Sequence, residues 1–209
     1  MKLIIFGATG STGQCLVEQA LNQGYEVTAF VRNPSVIKTQ HRHLSVVKGD
    51  VINQEQVEIA MAGKEAVLSA LGVKIGTPPG TIRSEGTKNI ITAMKKFNIK
   101  RFICVTSVGV GDSKPRSGFL GNVLFPLFFK ERFADVEKQE QLIQQSGLDW
   151  TIIRPSRLTD GPKTGSYKSG LLLSVGFRST ISRADVAAFM LRQLTDNTYL
   201  HKAPVATYV

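Results

Sequence analysis

Near its amino terminus the chain reads FGATGSTGQ, with Gly7, Gly10 and Gly13 set between an apolar run, KLIIF (2–6), and a helical pattern over residues 12–24 that Gly24 closes. Few folds accommodate a strand, three glycines at this spacing and a helix in immediate succession. Gly7 permits a tight turn, Gly10 lets the backbone come close to a pyrophosphate, and Gly13 lets the helix pack against the strand. The unpaired amides at the head of that helix, its positive dipole end and the hydroxyls of Thr9, Ser11 and Thr12 together suit phosphate oxygens. The opening of the chain therefore reads as the first half of a dinucleotide-binding βαβ unit.

The rest continues the alternation. Strands are expected over residues 26–32, 44–50, 65–72, 101–107 and 149–155, and helices over 53–63, 81–97, 134–147 and 182–194. RFICVTS (101–107) is almost continuously apolar, the mark of a strand covered on both faces of a parallel sheet. Ser182 and Asp185 have the spacing of a capping box at the head of the last helix. This pattern predicts an α/β, Rossmann-like, doubly wound parallel sheet. No repeat or linker divides the chain, so residues 1–209 are expected to form a single domain.

Lys and Arg outnumber Asp and Glu by 26 to 16, giving a net charge of +10. The basic residues are scattered rather than run together, which argues against a nucleic-acid tail and for a small anionic ligand. Cys15 and Cys104 lie in separate apolar segments and read as buried thiols of a reducing compartment. LIIF is too short for a signal sequence, and GNVLFPLFF falls short of the ~20 residues a bilayer span needs. A cytoplasmic protein that engages neither membrane nor nucleic acid is expected.

The end of the second strand distinguishes between dinucleotides. An NAD-preferring domain places an acid there for the ribose 2′-hydroxyl. This chain has Val31, Arg32 and Asn33. A guanidinium cannot accept a hydrogen bond but suits a 2′-phosphate, with Lys38 in reach to assist, so NADP(H) is expected. Asp50 and Val51, after the third strand, are candidates for the adenine edge; a helix cap is the other role open to Asp50.

GATGSTG, Arg32, GDV (49–51), SALG (69–72), SEGTKNIITAMK (84–95), VTS (105–107), TDGPKTGSY (159–167) and ISRADVAAFML (181–191) occur in register. In these the chain resembles, nearly end to end, the atypical short-chain dehydrogenase/reductases, specifically the flavin reductases also known as biliverdin-IXβ reductases. Several of the motifs are shared with the NmrA-like proteins. The resemblance implies a monomer that uses NADPH to reduce flavins and sometimes bilins.

Ligands of this architecture bind outside the carboxyl ends of the strands. Ser107 closes the fifth strand and matches the family's active-site serine. Gly72 and Lys74 follow the fourth strand, Lys74 standing where the family has an arginine near the cofactor. The backbone around Pro155 and Leu158, after the sixth strand, is where the family holds the nicotinamide carboxamide. Two family histidines are replaced here by Val136 and Arg157, while His41, His43 and His201 are expected on the surface.

None of Tyr25, Tyr167, Tyr199 and Tyr208 is followed by lysine four residues later. Reduction of a simple ketone leaves charge on one oxygen, where a positioned acid contributes about 100- to 10,000-fold. A flavin or linear tetrapyrrole spreads that charge and can take its proton from solvent. The missing pair therefore favours a delocalised acceptor. An aromatic-rich insertion at about 108–135, containing GFLGNVLFPLFFKERF, would give it a surface, and Lys130, Arg132 and Arg157 could offset its phosphate or carboxylates. Ser107 and Arg157 are the expected catalytic residues. An NADPH-dependent reductase of flavins, with bilins or quinones as further acceptors, is thus expected; the other readings are an NADPH-sensing regulator without turnover, an RNA-associated protein, and an enzyme that reduces or isomerises some other conjugated small molecule.

Overall fold

The computed structural model describes residues 1–73, 76–77, 80–116, 125–176 and 178–208. Its main sheet has eight strands in the order β3-β2-β1-β4-β5-β6-β10-β8. These are β1 (Lys2–Phe6), β2 (Glu26–Val31), β3 (Leu44–Lys48), β4 (Ala66–Ser69), β5 (Arg101–Val105), β6 (Asp149–Pro155), β8 (Lys168–Gly170) and β10 (Val205–Thr207). All neighbours pair in parallel except β10 and β8, which are antiparallel. Two short strands, β7 (Arg157–Thr159) and β9 (Thr180–Ser182), form a separate parallel pair. The chain thus has the Rossmann-like α/β fold that its alternating pattern predicts.

Burial on both faces explains the continuous apolar strands. Leu3 and Ile5 of β1 pack with Leu68, Ile103 and Ile153 under α1 (Ser11–Asn22) and α5 (Arg183–Arg192). Ile4 and Phe6 pack with Val67, Phe102 and Ile152 under α2 (Gln54–Met61), α3 (Ile82–Lys96) and α4 (Phe125–Gln144). Successive residues of a strand face opposite sides, so each side chain of the run meets a helix layer. Strand order reverses between β1 and β4, opening a crevice at their carboxyl ends.

Three local expectations need correction. Helix α4 begins at Phe125, nine residues before the expected start at 134, and so takes in part of the insertion. Its proline, Pro126, sits in the first turn, where a missing N–H costs no intrahelical bond. The third strand stops at Lys48 rather than at Asp50. The capping box of α5 is only half formed. Ser182 does accept from the Asp185 amide at 3.0 Å, but the Ser182 amide donates to the Tyr208 hydroxyl at 3.2 Å. The Asp185 carboxylate instead holds the amides of Thr164 and Gly165 and the hydroxyls of Thr164 and Tyr208.

Candidate active site

The phosphate loop is a cradle that only glycine fits. Gly7 has φ +76°, and a Cβ there would stand 2.4 Å from the Ala70 carbonyl oxygen. A Cβ on Gly13 would stand 2.1 Å from the Gly7 carbonyl oxygen, so helix α1 could not lie as close to β1 with any larger residue. Gly10 caps α1, and its amide closes the turn onto the Gly7 carbonyl at 3.0 Å. No side chain caps the helix, which leaves its first-turn amides turned toward the crevice. Ser11 is exposed, Thr9 half-buried and Thr12 buried. The close backbone and uncapped amides fit a pyrophosphate.

Arg32 directly follows β2 and is exposed, with no hydrogen bond or ion pair among the described residues. Beside it Asn33 caps the short 3₁₀ turn Pro34–Val36 by accepting from the Ser35 amide at 3.1 Å; Lys38 is also exposed. Two residues past β3, Asp50 accepts from the Ile52 amide at 3.1 Å in a tight turn, whereas Asn53 accepts from the Gln56 amide and caps α2. Of the two roles open to Asp50, the helix cap thus belongs to Asn53. Val51 is buried against Gly86 of α3.

Beyond β4, Gly72 is exposed, and the Val73 carbonyl accepts from Arg132 Nη1 at 3.2 Å. Lys74 lies outside the described residues, as do residues 117–124 of the aromatic insertion and the side chains of residues 125–130, Lys130 included. Arg132 Nη2 also donates to the Thr77 carbonyl at 2.5 Å, so this arginine ties α4 to the loop that leaves β4.

Ser107, half-buried just past β5, donates to the Val108 carbonyl at 3.2 Å. Beside it Thr106 donates to Glu140 of α4 at 2.7 Å. Glu140 in turn takes a forked pair of bonds from Arg154, at 3.0 Å from Nε and 2.6 Å from Nη2, while Arg154 Nη1 reaches Asp112. Burial alone would push the Arg154 guanidinium down, but its bonds to Glu140 and Asp112 hold it above its ordinary value. The Arg154 side chain is therefore an internal strut that fixes the segment after Ser107. The Pro155 carbonyl accepts from the Val108 amide at 3.3 Å; Arg157 is exposed, and Leu158 is half-buried against the layer of α1 and α5.

No tyrosine or histidine stands on α4, and Val136 of that helix is buried. Tyr199 and Tyr208 donate to the Ser169 carbonyl and to Asp185. His41 and His43 precede β3, and the His201 amide bonds to the Trp150 carbonyl near the start of β6, so all three lie at the amino ends of the strands, away from the crevice. The reading of the sequence passed over Glu140, whose partner lies fourteen residues away on another element. It also passed over Arg83 in the first turn of α3, where a cation opposes the helix dipole; that placement was the available signal.

This crevice, with a glycine cradle at the switch point and a cationic strand end, defines a nicotinamide-dinucleotide-binding protein of the Rossmann type. A family model described as NAD(P)H-binding matches residues 7–197, and the chain belongs to that family. An uncharacterised chloroplastic protein of Arabidopsis thaliana is 30% identical over 178 residues, which cover 79% of this chain and 62% of that protein. The uncharacterised protein YwnB of Bacillus subtilis is 28% identical over 202 residues, covering 93% of this chain and 92% of the relative. Among solved structures, ChuY of Escherichia coli O157:H7, described as an anaerobillin reductase, superposes with a TM-score of 0.84 at 24% identity, covering 99% of this chain and 96% of that one. Among the described residues no helix is long and apolar enough to cross a membrane.

Proposed function

We propose that the protein is an NADPH-dependent reductase of a delocalised acceptor, most simply a flavin (FMN, FAD or riboflavin), with bilins such as biliverdin as further substrates. The observation that carries this reading is the make-up of α4, which packs against the strand end bearing Ser107 yet offers neither tyrosine nor histidine. Helix α4 therefore offers no tyrosine or histidine to protonate a localised alkoxide, whereas an acceptor that spreads charge over a ring system needs orientation and a nearby cation. When bound, the nicotinamide supplies the hydride. The chain's own part is to hold the pyrophosphate at Gly7, Gly10 and Gly13, to pair Arg32 with the 2′-phosphate, and to present Ser107 and Arg157 toward the acceptor. Asp50, Val51, Gly72, Pro155 and Leu158 complete the proposed cofactor contacts. The description of ChuY as an anaerobillin reductase agrees with this choice of acceptor. A cytoplasmic monomer remains the proposed form.

Anaerobic mixing with FMN or biliverdin tests the proposal, with NADPH and NADH compared by absorbance. NADPH should support catalytic reduction, and Arg32→Ala should weaken its binding by about 10- to 100-fold, the worth of a charge-assisted hydrogen bond, with little change for NADH. The same bare α4 favours a second reading, a regulator that senses NADPH, and tight binding without reduction of any acceptor would select it.

A further inference from the structure

The net charge of +10 is spread thinly along the sequence but not over the surface. Residues 157–185 carry five cations and two acids. Asp160 is engaged by Arg183, whose Nη1 stands 2.6 Å away, and Asp185 is buried beneath bonds from Thr164, Gly165 and Tyr208. The other four cations, Arg157, Lys163, Lys168 and Arg178, are exposed. None of them forms an ion pair among the described residues, which include every Asp and Glu of the chain.

The fold draws these four around its last strand. Arg157 stands opposite Thr180 in the β7–β9 pair, and the Tyr208 amide bonds to the Thr180 carbonyl at 2.8 Å. Arg178 lies two residues before Thr180, and Lys168 stands opposite Thr207 across the β10–β8 ladder. Lys163 adjoins Thr164, which shares the Asp185 carboxylate with the Tyr208 hydroxyl. The four stand apart in the sequence and meet only through strand pairing, so the chain read as a sequence gives no sign of the patch. Beside it, directly after the terminal strand β8, come two exposed leucines. Leu171 is 39% exposed and Leu172 77%, the most exposed large apolar side chain among the described residues. Leu173 turns back, half-buried against Gly170. Cations around a protruding apolar tip match an anionic bilayer, whose headgroups meet the charges while the tip enters the acyl boundary. A soluble polyanion would engage the charges alone.

We propose that the face built by β7, β8, β9 and the loop at 171–176 docks, peripherally and reversibly, on the anionic headgroup layer of a lipid bilayer. The proposal goes beyond the reductase reading and does not depend on it.

Cosedimentation of the full chain with vesicles tests this. Vesicles of phosphatidylcholine alone are compared with vesicles containing phosphatidylserine as well, at low and at physiological salt. Binding is expected to the phosphatidylserine vesicles only, and to weaken as salt rises. Lys163→Gln, Lys168→Gln and Arg178→Gln should each weaken it about fivefold, the equivalent of about 1 kcal/mol per cation at a bilayer surface, and together about 100-fold. Arg157 is left intact in these variants because it is assigned to the acceptor site. Leu172→Ser should weaken binding about 3- to 10-fold and leave its salt dependence unchanged. All four side chains are exposed, so the melting temperature should stay at the wild-type value. Heparin, a soluble polyanion, should bind with an affinity that Leu172→Ser does not alter. No binding to phosphatidylserine vesicles, equal binding to both kinds of vesicle, or vesicle binding that ignores Leu172→Ser would each overturn the proposal. The last of these, with heparin bound as tightly as the vesicles, would assign the patch to a soluble polyanion or an acidic protein instead. Vesicle binding is read without turnover, so its failure leaves the reductase reading standing, and the reverse holds as well.

Discussion

Replacing Glu140 by leucine isolates the strut behind Ser107. The Arg154 side chain is 2% exposed and that of Glu140 4%, and they share two hydrogen bonds, while Asp112, the remaining partner, is 74% exposed. Glu140→Leu leaves a buried guanidinium with only that solvent-facing carboxylate, and removes the acceptor of the Thr106 hydroxyl. Removing one member of a buried ion pair costs about 3–5 kcal/mol, and the surviving Asp112 contact puts the expected loss near ~3 kcal/mol. For a chain of this length that is a fall in melting temperature of roughly 6–12 °C. The double variant Arg154→Met/Glu140→Leu removes both charges and should return to within about 1 kcal/mol of wild type, because matched apolar side chains avoid the desolvation penalty altogether. Urea titrations followed by circular dichroism, with equal slopes, would give the differences. A single variant as stable as wild type, or a double variant as unstable as the single, would refute the strut.

Asp185 predicts a second, pH-dependent loss. Burial would raise its pKa, but bonds from Tyr208, Gly165 and Thr164 outweigh that and hold the carboxyl below its ordinary value. A depressed folded value stabilises the protein above the unfolded pKa of about 4 and is lost as pH falls through the folded value. The urea-midpoint gap between wild type and Asp185→Asn should therefore be full near neutrality and narrow below about pH 4; a gap constant with pH contradicts this. The thiols give another test. Burial pushes Cys104 up to about 12, leaving a thiolate fraction on the order of 10⁻⁴ at pH 8. Native protein should thus react with a thiol reagent through the half-buried Cys15 first, and through Cys104 only on unfolding; two equally fast thiols would contradict the packing.

The parts of this fold that could be read from the sequence are those whose signals are local. Gly7, Gly10 and Gly13 announce themselves because a strand precedes them and a helix follows, and β5 because both its faces are apolar. Strands β7, β8 and β9 were not legible, since three residues each carry no periodicity and only pairing defines them. The early start of α4 was hidden by phenylalanines that suit a strand or a surface as well as a helix. Arg154 lies within the sixth strand, and its role depends on Glu140 and Asp112, which no spacing rule connects to it.

The central claim, hydride transfer to a delocalised acceptor without a dedicated acid on α4, is tested most directly by single-turnover reduction of FMN by protein preloaded with NADPH, or with NADPH deuterated at the transferring position, in light and heavy water. The account predicts flavin bleaching faster than in free solution, a primary isotope effect from the deuterated cofactor, and a rate nearly indifferent to heavy water and to pH between about 6 and 8. Bleaching no faster than in free solution, or a rate that follows a titrating group and slows strongly in heavy water, would contradict it.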